Sequence, residues 1–245
     1  MTSTLQTRID QVADATDRLH RALDDLPPER FGAPSLLPDW SVGHVLTHIA
    51  RNADAQRNLL HWAETGEPTP MYPSTEARNA DIEAGAGREP AEILQDVRAS
   101  ADRLAAAIRD LPEAAWSAQI DTGRGGPVGA DVVLSQRLAE LELHHHDLGV
   151  DDGLAALSDE AGRALLAAVL QSYVRSRGVT GLVLVPDGAD PIRLGGPDPS
   201  AAGMEPGIDA TIVRGPAVDL AGWLSGRTDG SALQCNGPLP ELPSW

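Results

Sequence analysis

The sequence is poor in cysteine, aromatic residues, basic residues and long apolar runs. Cys235 is the one cysteine among 245 residues, which excludes an internal disulfide framework or a Cys-rich zinc cluster and fits a reducing compartment. Aromatic residues make up 3% of the chain, so Leu, Val, Ile and Ala must build the core. No apolar run approaches the roughly 20 residues that a membrane-spanning helix needs. We therefore expect a cytoplasmic protein that does not bind membranes.

The charge balance narrows the range of partners further. Acidic residues number 36 against 19 basic ones, which gives a formal net charge of −17. Nucleic-acid binding relies on a basic surface, so we expect no nucleic-acid partner. Such a field also repels anions at long range, so an anionic substrate would need local arginines. The N-terminal segment is amphipathic and carries acids early, unlike a signal peptide.

Apolar residues recur at helical spacing in four segments of the first half of the chain. Ser41 is a suitable N-cap for the second segment, and Pro90 stands at the start of the third. The Pro- and Gly-rich connection between those two segments has room for one short helix. The four segments are residues 5–25, 42–63, 90–111 and 131–148. The pattern predicts a four-helix bundle, assigned to residues 1–152, with one long crossover.

The second half of the chain follows a different pattern. One helix, residues 158–178, precedes three short β-branched runs that Gly, Pro and Asp separate. A last helix is predicted at residues 216–227. The glycine-rich residues 120–130 lack the Gly-Lys-Ser/Thr ending of a phosphate-binding loop and indicate a simple turn. We expect a mainly α protein with a smaller C-terminal α+β domain, residues 153–245, and a monomeric chain.

The fourth helical segment ends in "ELELHHHD", a cluster of metal-capable side chains. Residues four apart share a helix face, so Glu140 pairs with His144 on one flank of the apolar stripe. Glu142 pairs with His146 on the other flank, and Leu143 is expected to point outward. Each Glu-x-x-x-His pair is able to chelate one ion. Periodicity does not choose between the two flanks.

A third ligand is available from the second helical segment. His48 lies nearer the apolar stripe of that segment than His44, which faces solvent. One histidine with a Glu-x-x-x-His pair gives two imidazoles and one carboxylate, a ligand set of catalytic zinc sites that leaves a fourth position open. The competing interpretation is that histidines near a helix C-terminus interact with the helix dipole or pack as hydrogen-bonded residues. Spacing alone leaves both interpretations standing.

Longer motifs resemble a known family. The stretches "WSVGHVLTHIARNA", "LLHWAETG", "TPMYP" and "EARN", followed downstream by "ExxxHHHDLG", are similar to the mycothiol-dependent maleylpyruvate isomerases, a branch of the DinB-like four-helix metal proteins. The likeness covers nearly the whole chain. It implies a zinc site of two histidines and one glutamate, which fall on His48, Glu140 and His144. His145 and His146 then become neighbours of the ligands.

The same resemblance implies roles for two arginines. Arg227 matches an arginine at the end of a C-terminal helix in the family, and we assign it a catalytic role. Arg78 lies in the matching "EARN" stretch, and we assign it to substrate binding. The alternative for either arginine is a surface salt bridge.

The implied function is the mycothiol-dependent cis–trans isomerisation of maleylpyruvate to fumarylpyruvate at a zinc-bound thiolate, in the gentisate pathway of aromatic degradation. A thiol adds to the conjugated double bond, the new single bond rotates, and the thiol leaves. Cys235 lies in a Gly/Pro-rich tail and is no candidate for that thiol, so an external thiol is expected. The resemblance implies that this thiol is mycothiol and that zinc is the second cofactor. The alternatives are a mycothiol-dependent S-transferase acting on another electrophile, or a non-enzymatic metal-stabilised binding protein.

Overall fold

The computed structural model describes residues 3–123, 126–177, 181–194 and 210–242. The chain divides into two compact units, Met1–Gly153 and Leu154–Trp245. Within the described ranges, no helix combines the length and the apolar character needed to cross a membrane.

Five helices make up most of the first unit. They are α1 (Ser3–Asp24), α2 (Val42–Thr65), α3 (Thr75–Ala86), α4 (Pro90–Asp110) and α5 (Val132–Asp147). The four long helices end within two residues of the predicted bounds, and the short α3 occupies the connection in which one short helix was expected. Helix α2 packs against α3, α4 and α5, while α1 packs mainly against α5. Helix α2 is therefore the central element of the unit.

The start of α2 is fixed by a reciprocal cap. The Ser41 hydroxyl accepts a hydrogen bond from the backbone N–H of His44 at 3.3 Å, and the Ser41 N–H donates to Nδ1 of His44 at 3.2 Å. The predicted N-cap is thus confirmed. Such caps satisfy backbone N–H groups that the first helical turn leaves without partners. They set the register in which His48 follows about two turns later.

Helix α5 is covered on more than one side. Helix α1 packs along one face and α2 along another, so buried residues occur around most of its circumference. The expectation that Leu143 points outward was therefore wrong, since it is 1% exposed. Glu142 is also buried, and its carboxylate accepts from the guanidinium of Arg18 in α1.

The glycine-rich segment before α5 closes a short antiparallel pair. Strand β1 (Gln119–Ile120) pairs with β2 (Val128–Gly129), and residues 124–125 of the intervening turn lie outside the described residues. Two further backbone bonds follow, from Ala130 N–H to Ala118 O at 3.0 Å and from Asp131 N–H to the Trp116 carbonyl at 3.1 Å. These bonds anchor the start of α5.

The described residues of the second unit form two α-helices and one small sheet. In chain order the elements are α6 (Asp159–Arg177), β3 (Leu182–Pro186), β4 (Ile192–Leu194), β5 (Thr211–Gly215), α7 (Ala217–Leu224) and β6 (Gln234–Cys235). The strand order is β4-β3-β5-β6; β3 and β5 are parallel, and both edge pairings are antiparallel. The expected fold class, a helical bundle with a smaller α+β region, is confirmed. Within the predicted C-terminal domain, residues 178–180, 195–209 and 243–245 lie outside the described residues.

The close approach of α2 to the end of α3 gives a test of the packing. A Cβ added to Gly43 would lie 2.6 Å from the Ala86 carbonyl oxygen and 3.1 Å from that of Phe31. Alanine is favoured over glycine in helices by about 1 kcal/mol, but no side-chain rotation relieves a clash with backbone. We expect Gly43→Ala to lower the free energy of unfolding by about 1–3 kcal/mol in urea denaturation.

The matched control is Gly32→Ala, because no atom lies within 4 Å of a Cβ added there. This control should stay close to the wild type in stability. A Gly43→Ala variant as stable as the Gly32→Ala variant would contradict the close packing of α2 on α3.

Candidate metal centre

Three metal-capable side chains meet between α2 and α5. Nε2 of His48 lies 2.9 Å from Oε2 of Glu140, and Nε2 of His144 lies 3.2 Å from the same oxygen. The donor atoms of all three residues lie within 4.8 Å of one another, and the described part of the chain holds no other such group of three. The two imidazole rings meet edge to face, with centroids 4.7 Å apart. The structure therefore brings together the three residues that the resemblance implied.

The register between α2 and α5 explains this meeting. Glu140 and His144 are one turn apart on α5 and both face His48 on α2. One turn further along, the buried Arg137 of α5 donates to an α2 backbone carbonyl and to Oδ1 of Asn52, both at 3.0 Å. His48 of α2 thus faces Glu140 and His144, whereas Asn52, one turn later on α2, faces Arg137, which comes before Glu140 on α5. The Arg137 contacts hold the two helices in the register that joins the three donors.

The group fits a divalent ion in both chemistry and spacing. Two imidazole nitrogens and one carboxylate oxygen form a set that zinc binds at about 2.0–2.2 Å, which places tetrahedral donors about 3.4 Å apart. The two measured nitrogen–oxygen separations, 2.9 and 3.2 Å, are slightly shorter. The imidazoles are nearly buried, whereas 23% of the Glu140 side chain remains exposed. The group therefore reaches solvent on the carboxylate side.

The electrostatics keep a negative charge at the centre. Burial would raise the pKa of Glu140, but hydrogen bonds from His144 and His48 outweigh it and hold this pKa well below its usual range. Burial lowers the pKa of His48 to about 4 against the opposing contact with Glu140. Burial also acts to lower the pKa of His144, but the contacts with Asp147 and Glu140 raise it. A charged carboxylate beside a neutral imidazole attracts a cation.

The two imidazoles differ in what their second nitrogen contacts. Nδ1 of His144 lies 2.8 Å from Oδ2 of Asp147. An ionised carboxylate only accepts, so this Nδ1 carries a hydrogen, which leaves Nε2 as the nitrogen that would bind a metal once it gives up the hydrogen that it donates to Glu140. Nδ1 of His48 instead lies 3.2 Å from Nη2 of Arg78. Sequence reasoning gave Asp147 no role, although its position three residues after His144 on one helix was a usable signal.

Arg78 projects from α3 into this region. Besides His48, its guanidinium donates to Oδ1 of Asn79 at 2.9 Å and lies 5.9 Å from the ring centroid of Tyr72. No carboxylate within the described ranges forms an ion pair with Arg78, so the surface salt bridge considered for it is not present there. The Tyr72 hydroxyl is buried, and burial raises the pKa of Tyr72 against the opposing effect of the nearby Arg78 guanidinium. Both side chains belong to motifs that the sequence singled out.

Glu142 of the other Glu-x-x-x-His pair and the adjacent His145 contact different residues. Glu142 contacts Arg18 of α1, and Nε2 of His145 lies 2.8 Å from Oδ2 of Asp151. Neither Glu142 nor His146 belongs to the three-residue group in the described chain. Of the two glutamates, Glu142 is therefore engaged by α1, whereas Glu140 faces α2.

The remaining predicted residues lie in the second unit. Arg227 follows α7, and its Nη1 donates to the carbonyl of Ser225 at 2.8 Å. Cys235 lies on β6 and is half-buried.

Two family profiles match this chain. Residues 12–149 match the mycothiol maleylpyruvate isomerase N-terminal domain, and residues 156–244 match the C-terminal domain of the same family. Together these matches account for both units.

Solved structures of the same family resemble this chain along its whole length. Crystal structures of the mycothiol-dependent maleylpyruvate isomerase and of its histidine-to-alanine mutant are 31% identical to this chain, with a TM-score of 0.82 and full coverage of both chains. Two uncharacterized proteins of Mycobacterium tuberculosis, from strains CDC 1551 / Oshkosh and ATCC 25618 / H37Rv, are 26% identical over 94% of this chain and 89% of their own length.

Replacing one of the three donors should release the metal. We expect His48→Ala to lose most of the bound zinc, because two remaining donors hold an ion far more weakly than three, while His146→Ala keeps a full equivalent. Metal analysis of the two proteins, purified alike, measures this. Equal metal loss in both variants would contradict the assignment of the flank.

The contact of Asp147 with His144 predicts that a residue outside the group of three donors affects zinc affinity. Asp147→Asn can turn its NH₂ group towards Nδ1 and so favour the tautomer that has a hydrogen on Nε2. We expect zinc affinity to fall by about 10–100-fold, measured by competition with a chromophoric chelator. A variant that folds normally and binds zinc as tightly as the wild type would show that Asp147 does not orient His144.

Proposed function

Because the chain belongs to the mycothiol-dependent maleylpyruvate isomerase family in both of its domains, we propose that it converts maleylpyruvate to fumarylpyruvate by mycothiol-dependent cis–trans isomerisation. The reaction would take place at a zinc ion held by His48, Glu140 and His144, and would serve the gentisate route of aromatic degradation. The observation that carries the proposal is the convergence of His48 and His144 on one carboxylate oxygen of Glu140.

The donor set supports a reactive site rather than a closed structural one. Structural zinc sites have four protein ligands, whereas catalytic sites have three and keep one position for water or substrate. The group found here has three members among the described residues, and its carboxylate remains 23% exposed. This arrangement argues against the alternative of a metal that only stabilises the bundle.

When bound, the metal would lower the pKa of a coordinated thiol, and mycothiol would supply a sulfur nucleophile that adds reversibly to a conjugated double bond. The side chains of this protein would hold and orient these groups. His48, Glu140 and His144 serve as ligands, and Asp147 keeps His144 in its ligand tautomer. Cys235 has no part in the reaction.

Two arginines provide the positive charge that an anionic substrate needs in a protein of net charge −17. Arg78 lies beside His48 and would bind a substrate carboxylate through its planar N–H donors. Arg227 would stabilise the negative charge that thiol addition places on the substrate ketone oxygen. In both roles the guanidinium N–H groups bind or stabilise negative charge on the substrate, and the arginine neither gains nor loses a proton.

A timed absorbance assay with maleylpyruvate, with and without mycothiol, tests the proposal. We expect the cis substrate to disappear only when both the thiol and the metal are present, because neither supplies an activated nucleophile alone. Treatment with a chelator should abolish the rate, and added zinc should restore it.

The alternative outcome of this assay is informative in itself. No thiol-dependent loss of maleylpyruvate by a zinc-loaded, folded protein would reject the isomerase. Mycothiol consumption with another electrophile would then identify an S-transferase instead.

A further inference from the structure

The two candidate histidine ligands have opposite kinds of outer partner. Asp147 presents an acceptor to Nδ1 of His144 at 2.8 Å, whereas Arg78 presents a donor to Nδ1 of His48 at 3.2 Å. An arginine side chain has five N–H donors and no acceptor. The contact between Arg78 and His48 therefore requires a lone pair on Nδ1 of His48.

This requirement fixes the hydrogen of His48 at the other ring nitrogen. A neutral imidazole carries one hydrogen, so a lone pair on Nδ1 places that hydrogen on Nε2. Nε2 faces Oε2 of Glu140 at 2.9 Å, where a carboxylate oxygen accepts it. The observed set of contacts is thus self-consistent: Arg78 donates to His48, and His48 donates to Glu140.

A metal ligand needs the opposite tautomer. Coordination through Nε2 requires a lone pair there and therefore a hydrogen on Nδ1. That hydrogen would point at the N–H of Arg78, so two donors would face each other beside a divalent cation. The contact of Arg78 with His48 and the binding of a metal by His48 therefore exclude each other.

We propose that Arg78 competes with the metal for His48, so that metal binding releases its guanidinium to the carboxylate of an anionic substrate. The inference rests on the proposed function, because it takes His48, Glu140 and His144 as the metal ligands. It goes further by coupling metal occupancy to anion binding through one side chain. Arg78 is in this sense a positioning residue for the metal as well as a binding residue for the substrate.

The surroundings of Arg78 suit such a release. Its Nη1 donates to Asn79, the next residue of the same helix, and its guanidinium lies 5.9 Å from the Tyr72 ring centroid, within cation–π distance. These two contacts hold the side chain near the centre after Nη2 leaves His48. The released N–H groups then match the oxygens of a carboxylate.

Coupling of this kind is reciprocal. If the metal frees Arg78 for an anion, the anion must tighten metal binding by the same factor. Arg137, which also lies near the centre, donates to two oxygens of α2, each at 3.0 Å. These contacts do not involve a ligand histidine, so metal binding does not release Arg137.

The test measures zinc affinity in the full-length protein, stripped of metal and titrated with Zn²⁺ against a chromophoric chelator. Arg78→Met removes the competing donor, so we expect zinc to bind about tenfold more tightly than in the wild type, the order expected for one hydrogen bond to a charged group. Arg57→Met is the matched control, since it removes one arginine charge from an α2 side chain that pairs with Asp54. The control should change zinc affinity less than about twofold, because the loss of one exposed charge changes the free energy only slightly.

Two further measurements separate competition from a general effect of charge. In ¹⁵N-labelled protein without metal, imidazole NMR should show the His48 hydrogen on Nε2 in the wild type and an increased Nδ1–H population in Arg78→Met. Maleate, used as a dicarboxylate probe, should tighten zinc binding in the wild type and do so less in Arg78→Met. An Nδ1–H tautomer of His48 in the metal-free wild type, or an equal maleate effect in both proteins, would overturn the proposal.

The outcomes also distinguish this inference from the proposed function. If the wild type binds zinc through His48 and isomerises maleylpyruvate, but Arg78→Met binds zinc no more tightly, only the competition is rejected. If His48→Ala binds zinc as well as the wild type does, the ligand set fails, and the competition fails with it.

Discussion

The carboxylate of Glu140 lies between two helices and receives both of its close contacts from histidines, one on each helix. A charged carboxylate placed among apolar side chains is costly unless it is paired and hydrogen-bonded. Nε2 of His48 and Nε2 of His144 approach one oxygen of that carboxylate at 2.9 and 3.2 Å. Several structural features serve this contact: the Ser41 cap sets the start of α2, the short β-hairpin anchors the start of α5, and Arg137 bridges the two helices one turn away.

The helices of the bundle could be predicted closely because their signal is local. Apolar spacing, a serine cap and a proline at a helix start depend on neighbouring residues, and the four long helices agree with the predicted bounds to within two residues. The choice between the two Glu-x-x-x-His pairs depends on which helix faces which flank. Arg18, more than 120 residues before its partner Glu142, engages one of these carboxylates. Periodicity within α5 carries no such information, and only the resemblance to a family selected the flank on which the structure gathers three donors.

The parts that sequence reasoning missed have two different causes. The contact between His144 and Asp147 spans three residues of one helix, so it was open to local reasoning. The outward direction expected for Leu143 was wrong because α5 is covered by both α1 and α2, which the pattern of one helix does not show. Strands of two residues, such as β1 and β6, are too short for alternation and are defined by their pairing partners.

Nδ1 of His144 contacts a carboxylate, whereas Nδ1 of His48 contacts a guanidinium. This difference suits a reactive metal site better than a structural one. A structural site gains most when every ligand is already in its metal-binding form, because then no contact is lost on binding. Here Asp147 keeps a hydrogen on Nδ1 of His144, as a ligand needs, while under the proposed competition the Arg78 donor would hold His48 in the other tautomer. Under that proposal, part of the metal-binding free energy would be consumed in moving a cationic side chain. A displaced guanidinium next to an open coordination position is useful to an enzyme whose substrate is an anion. It would have no use in a site that only holds helices together.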